Sequence, residues 1–234
     1  MRFSLKLLIF FVLMFGAGYV ANEKIPSQHL LWRSLNPEAP LGFATRSQLL
    51  QLSLSPSKRC MDMAAGIGHL HSNAVAPHRP ANYKTCGWDV AREVRQSADI
   101  KLAPDAVNMQ CPLSIASYLW MREIDEIAKE EFGRSISAIQ HFGTYSCRRQ
   151  NGNNSGQWSE HAFANAWDIA GFKLSNGRVI SVKTGWEGKA DEKRFLRRAR
   201  KKACKIFNVT LSPDFNAAHA DHFHFDMGPT KTCR

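Results

Sequence analysis

Hydrophobic and polar positions follow three different rhythms along this chain. From Leu7 to Ala21 there is no rhythm: the run is apolar on every side and follows Arg2 and Lys6. In "CPLSIASYLWMREIDEIAKEEFG", Leu113, Ala116, Leu119, Trp120, Ile124 and Ile127 recur at helical spacing. Pro112 suits a first helical position and Gly133 a C-terminal cap. A second helical pattern runs through "ADEKRFLRRARKKACKIFN", with Phe195, Leu196, Ala199, Ala203 and Ile206 on its inward face and Asn208 at its end. Shorter apolar or alternating segments, "SISAIQHFG", "WDIAGFKL", "RVISVKT" and "HFHFDM", predict strands, and Ser175–Gly177 reads as a hairpin turn. The plan is α+β: a small antiparallel sheet flanked by helices.

The apolar N-terminus changes the picture first. A short basic region followed by an apolar stretch is the layout of an export signal. The stretch is somewhat short for a membrane span, which needs about 20 residues. Residues 1–21 are therefore expected to be a signal peptide or a membrane anchor. Residues 22–58, with prolines, serines and no sustained period, read as a linker that includes a short leucine-rich helix at "RSQLLQLSL". Residues 59–234 read as one domain.

Cysteines and charge agree with export. Six cysteines, Cys60, Cys86, Cys111, Cys147, Cys204 and Cys233, form an even set without a C-x-x-C pair, so disulfides are expected rather than a zinc ribbon. Nearness along the chain predicts Cys60–Cys86, Cys111–Cys147 and Cys204–Cys233. The formal net charge of +11 favours an anionic partner such as membrane surface or wall polymer; export and disulfides argue against nucleic acid. Six basic residues between Arg197 and Lys205 form either a solvated helix face or a contact for anionic polymer.

Candidate chemistry lies in two stretches. In "SEHAFANAWDIAG", His161 and Asp168 are seven residues apart. On one helix they would sit about 10 Å apart along the axis, and on one strand more than about 20 Å. Metal ligation at about 2 Å therefore requires a turn between them. In "NAAHADHFHFDMG", strand alternation puts His222, His224 and Asp226 on one face and Phe223, Phe225 and Met227 on the other. Buried imidazoles and a carboxylate need partners, and a metal suits both. A further group, His69, His71 and His78, has no carboxylate at matching spacing and is not expected to bind metal.

The pattern S-x-H-x-x-A-x-A-x-D from Ser159 to Asp168, followed by H-x-x-H-x-H from His219 to His224, resembles the LAS group of zinc peptidases, which includes D-Ala-D-Ala carboxypeptidases and murein endopeptidases. More closely, "CPLSIASYLW", "HFGTYSCRRQNG", "SEHAFANAWDIAGF" and "NAAHADHFHFDMG" resemble the bacterial extensin-like C-terminal family over about residues 59–234. The resemblance implies a disulfide-stabilised LAS-like fold and one zinc ion held by His161, Asp168 and His224. It places His222 beside the metal as general base and Arg148 against substrate or oxyanion. Ser159 would orient the His161 loop, and His219 would bond the base or the substrate. Two departures stand out: Ala164 replaces the usual glycine, and no glutamate lies near the last strand.

The expected function is an exported peptidase, periplasmic or extracellular, that acts on peptidoglycan peptides, with the inner membrane as a second partner if the leader is retained. The alternative is a zinc-containing module that binds wall or envelope protein without catalysis.

Overall fold

A computed structural model describes residues 5–54 and 57–234; Arg2 of the basic leader region and Ser55 and Pro56 of the expected linker lie outside them. The elements in chain order are α1 (Leu5–Lys24), α2 (Thr45–Leu54), α3 (Ser57–Gly66), β1 (Leu70–Val75), β2 (Ala91–Ser97), β3 (Ile100–Ala103), β4 (Val107–Gln110), α4 (Cys111–Phe132), β5 (Ile136–Gly143), β6 (Ala166–Leu174), β7 (Val179–Ser181), α5 (Val182–Gly185), α6 (Ala190–Ile206), β8 (Val209–Leu211), β9 (Phe223–Asp226) and β10 (Thr232–Cys233).

The α+β plan holds, but the sheet is neither small nor wholly antiparallel. Ten strands join in the order β1-β2-β3-β5-β6-β9-β8-β10, with β4 beside β2 and β7 beside β6. The pairs β3–β5 and β8–β10 are parallel. A parallel pair needs a long crossover, and α4 supplies it between β3 and β5. The expected strand at 178–184 is shorter: β7 ends at Ser181, and the chain turns into α5, which buries Val182 beside Trp186.

α6 buries the stripe its pattern predicts, whereas α4 is buried on every side from Cys111 to Met121 and on one face only beyond. Pro112 sits in the first turn of α4, and Gly133 closes it in the left-handed region, φ 64°. Trp120, fully buried, projects from α4 against Trp167 and Phe172 of β6, Phe225 of β9 and Phe207. Its indole Nε1 donates to the Ala199 carbonyl of α6, 3.0 Å away. The basic face of α6 is partly neutralised within the fold. Arg194 and Arg198 reach Glu131, Arg198 also reaches Glu130, and Lys202 reaches Glu123, all on α4; Arg197 reaches Glu187 and Asp214. These pairs tie two packed helices together, which accounts for half of the run as structure.

The segment expected to be a linker also packs. Leu35, Leu49 and Leu52 are buried in the core shared with α4, and Gln48 donates to the carbonyls of Ser27, Leu30 and Arg33. Three disulfides form, but only Cys204–Cys233 joins neighbours in sequence as expected. The other two are Cys60–Cys111 and Cys86–Cys147. Proximity in space decides the pairing: α3 lies on α4, which brings Cys60 to Cys111 at the start of that helix. Non-reducing proteolysis followed by mass spectrometry should release peptides joined by Cys60–Cys111 and Cys86–Cys147. Peptides joined by Cys60–Cys86 would contradict this fold.

Candidate functional site

Register builds the first half of the site. On β6 and β9, Asp168 stands directly opposite His224, so both side chains leave the same face. The other face carries Trp167, Phe223 and Phe225, all fully buried. The alternation expected from "HFHFDM" thus holds for the strand, although β9 begins at Phe223 and His222 lies in the turn before it.

The turn required between His161 and Asp168 is a 3-10 helix, Glu160–Phe163, closed by Ala164 at φ 54°. That is the left-handed region, where a Cβ costs energy and glycine is favoured. Ser159 caps the helix, its Oγ accepting from the His161 amide at 3.3 Å. The turn carries His161 back over the start of β6.

Three donor atoms meet there. His161 Nε2 is 3.1 Å from Asp168 Oδ2 and 3.2 Å from His224 Nδ1, and His224 Nδ1 is 2.9 Å from Asp168 Oδ1. A tetrahedral ion with bonds of about 2.0–2.1 Å has ligand–ligand edges of about 3.3 Å. The remaining ring nitrogens fix the tautomers. His161 Nδ1 lies 3.2 Å from the Thr144 carbonyl and His224 Nε2 lies 3.0 Å from Asp226 Oδ2. Both partners only accept, so both nitrogens donate, and Nε2 of His161 and Nδ1 of His224 are the atoms that can ligate a cation once it displaces any proton they carry. Such outer partners are what a metal-ligating histidine ordinarily has. Among the described residues, this is the one group of three side chains placed to hold a metal.

Two carboxylates, Asp168 and Asp226, face the His224 ring from opposite sides. Burial works against charge on the His224 ring, but hydrogen bonds to Asp168 and Asp226 outweigh it and hold the imidazole up at about 9. Burial likewise opposes ionisation of Asp168, and His161 and His224 overcome it and hold the carboxyl far below its usual range. Glu160 is pushed up by burial and hydrogen-bonds Asn165 at 2.6 Å.

The other expected site residues surround this group in a cleft of about 990 Å³. His222 Nδ1 lies 2.8 Å from the Asp221 carboxylate, and its Nε2 points inward, 3.7 Å from Asp168 Oδ1. His219 bonds Asn216 at 2.7 Å, and its ring stands 5.2 Å from that of His222. Burial, and then repulsion from His224 and His222, lower His219 to about 4. Arg148 lines the same cleft, exposed and without an ion-pair partner among the described residues. The Cys86–Cys147 bridge ends at its neighbour.

The family described as extensin-like protein C-terminus matches residues 58–234. The chain belongs to this family. No curated protein and no solved structure matches the chain. The family's matched span holds every residue of the site and all three disulfides, and it leaves α1 and α2 outside.

Sequence reasoning missed three contributors. Asp226 was on the expected polar face, but its bond to His224 depends on side-chain geometry within the strand. Asp221, next to His222 in "HADHFHFDM", carries a readable signal: a carboxylate adjacent to the histidine it orients. The Thr144 carbonyl is a backbone group and leaves no signal in sequence.

Proposed function

We propose that this protein is an exported zinc peptidase that hydrolyses peptide bonds in the stem or cross-link peptides of peptidoglycan. The observation that carries the reading is the convergence of His161 Nε2, Asp168 and His224 Nδ1, each imidazole held from behind by a pure acceptor. Bound there, zinc supplies Lewis acidity, acidifying water and polarising a carbonyl oxygen. The likeness of the two motifs to LAS-group peptidases supports the same assignment, as does the left-handed backbone at Ala164, where that group has glycine.

The chain's own residues account for the rest. Asp226 and the Thr144 carbonyl fix the ligand rings. Asp221 accepts from Nδ1 of His222 and leaves Nε2 free to take the proton of an attacking water, then to return it to the departing amine. Arg148 offers a guanidinium to a substrate carboxylate or to negative charge developing on the carbonyl oxygen. The apolar N-terminus and three disulfides support a location outside the cytoplasm, where wall peptides are found. Their carboxylates complement a chain of net charge +11.

One observation favours the second reading, a wall-binding module without turnover. The carboxylates around the cleft are engaged: Glu160 with Asn165, Asp221 with His222 and Asp214 with Arg197 and Trp186. Among the described residues lining the cleft, the imidazoles of His219 and His222 are left to act as a base. Isolated peptidoglycan incubated with the purified protein, with and without chelator, separates the readings. Chelator-sensitive release of muropeptides supports the peptidase; zinc-loaded protein that sediments with the wall and releases nothing supports the module.

Asp226 gives an independent test of the metal. Asp226→Asn leaves His224 without its anionic outer partner. Zinc affinity, measured by competition with a chelating dye, should fall by roughly 10–100-fold. An unchanged affinity would remove Asp226 from the metal's support.

A further inference from the structure

Outside α1, the described residues expose ten large hydrophobic side chains. Six fall between Ile25 and Leu54, against four in the whole of residues 57–234. Local contacts hold the segment carrying Leu31 and Trp32 against the end of α1 and against α2. Trp32 Nε1 donates to Asn22 Oδ1 at 3.2 Å, and the Arg33 guanidinium donates to the Asn22 carbonyl at 2.9 Å. Gln51 of α2 donates to the Leu31 carbonyl at 3.1 Å, and the Phe43 amide donates to His29 Nδ1 at 3.2 Å. Arg46, Leu50 and Leu54 recur every four residues and so share one face of α2. Trp32 is 67% exposed and Phe43 81%, a poor arrangement for side chains in water.

Cations stand among these apolar groups. Leu31, Phe43 and Arg46 share the wall of one depression with Lys205 and Lys231. Neither lysine has an ion-pair partner among the described residues, whereas most neighbouring cations of α6 do. The adjoining helix α1 has 20 residues and is apolar enough to cross a membrane. At 1.5 Å per residue it spans about 30 Å, the thickness of the hydrocarbon layer.

We propose that residues 25–54, with Lys205 and Lys231, form a face that lies on the anionic surface of the membrane into which α1 runs. A tryptophan tied to the end of an apolar helix sits at headgroup depth, where amphipathic aromatic rings are favoured. Exposed leucine and phenylalanine enter the acyl boundary, and the lysines meet lipid phosphates. A single helix would leave the domain free to swing; this second contact fixes its orientation. Thr230, Thr232 and Arg234 line the metal cleft while Lys231 lines the depression, so the C-terminal segment separates the membrane face from the cleft.

Trp32 reports the contact. Trp88, Trp120, Trp167 and Trp186 are buried, and the difference between wild type and Trp32→Phe isolates the Trp32 emission. The full chain is reconstituted in vesicles of phosphatidylcholine and phosphatidylglycerol, with or without bromine on the acyl carbons nearest the headgroup. Bromine should quench most of the Trp32 component. Phe43→Asp combined with Leu54→Asp should reduce that quench several-fold, as should vesicles of phosphatidylcholine alone. A Trp32 component equally bright in brominated and plain vesicles, in protein that floats with them, overturns the proposal. So does failure of the chain to float. Unquenched Trp32 in a chain that cross-links to itself assigns the face to a second copy. Equal quenching without phosphatidylglycerol overturns the anionic part.

Discussion

His161→Ala and His224→Ala are each expected to lose most bound zinc, whereas His222→Ala keeps the metal and loses turnover by roughly 10²–10⁴-fold. The contrast follows from position. His161 Nε2 and His224 Nδ1 each touch the other and Asp168, and removing either leaves two protein donors, too few to hold zinc against water. His222 stands outside that triangle, with Nε2 3.7 Å from the nearest Asp168 oxygen. Zinc content after dialysis and muropeptide release by the same preparations provide the two readouts. If His222→Ala loses zinc while His224→Ala keeps it, the ligand and the base have been exchanged. If wild-type protein reconstituted with zinc holds none, the metal assignment fails. Zinc retained by wild type together with no turnover in any variant leaves the binding module.

The second large effect concerns the floor beneath the site. Trp120→Ala should destabilise the fold by about 3–5 kcal/mol, the usual range for truncating a large buried aromatic side chain. Trp120 is fully buried and meets Trp167 and Phe225, the immediate chain neighbours of Asp168 and His224. The void would open on the packed face of the two strands whose other face carries the ligands. The urea midpoint should fall, and zinc affinity should weaken with it because the β6–β9 register loses its backing. Trp120→Phe retains part of the contact and should fall between. A loss below about 1 kcal/mol for Trp120→Ala would mean that the core closes over the gap, contrary to the rigidity of packed interiors.

The sequence by itself determined the elements whose periods are unambiguous. Phe195 to Ile206 repeat on one face of α6, because burial of a stripe needs no information beyond spacing, whereas the spacing in α4 gave the helix but not the burial of its first half on every side, from Cys111 to Met121. It also determined which faces of "HFHFDM" are polar and apolar, since strand alternation is a local property. The need for a turn between His161 and Asp168 followed from chain geometry alone.

Tertiary structure decided the rest, because each remaining question concerns residues distant in sequence. Cys60 pairs with Cys111, 51 residues away, because α3 packs on α4, and no spacing along the chain encodes that. The sheet is mixed because α4 carries the chain across it before β5. Leu35, Leu49 and Leu52 of the expected linker are buried because α2 packs on α4 and α6. Arg198 and Lys202 of the basic run are matched by glutamates of α4, one of them 79 residues away. Asp168 faces His224 across 56 residues only through the β6–β9 register. A sequence states which side chains are able to ligate, but convergence to within about 3 Å is fixed by pairing and packing over the whole domain.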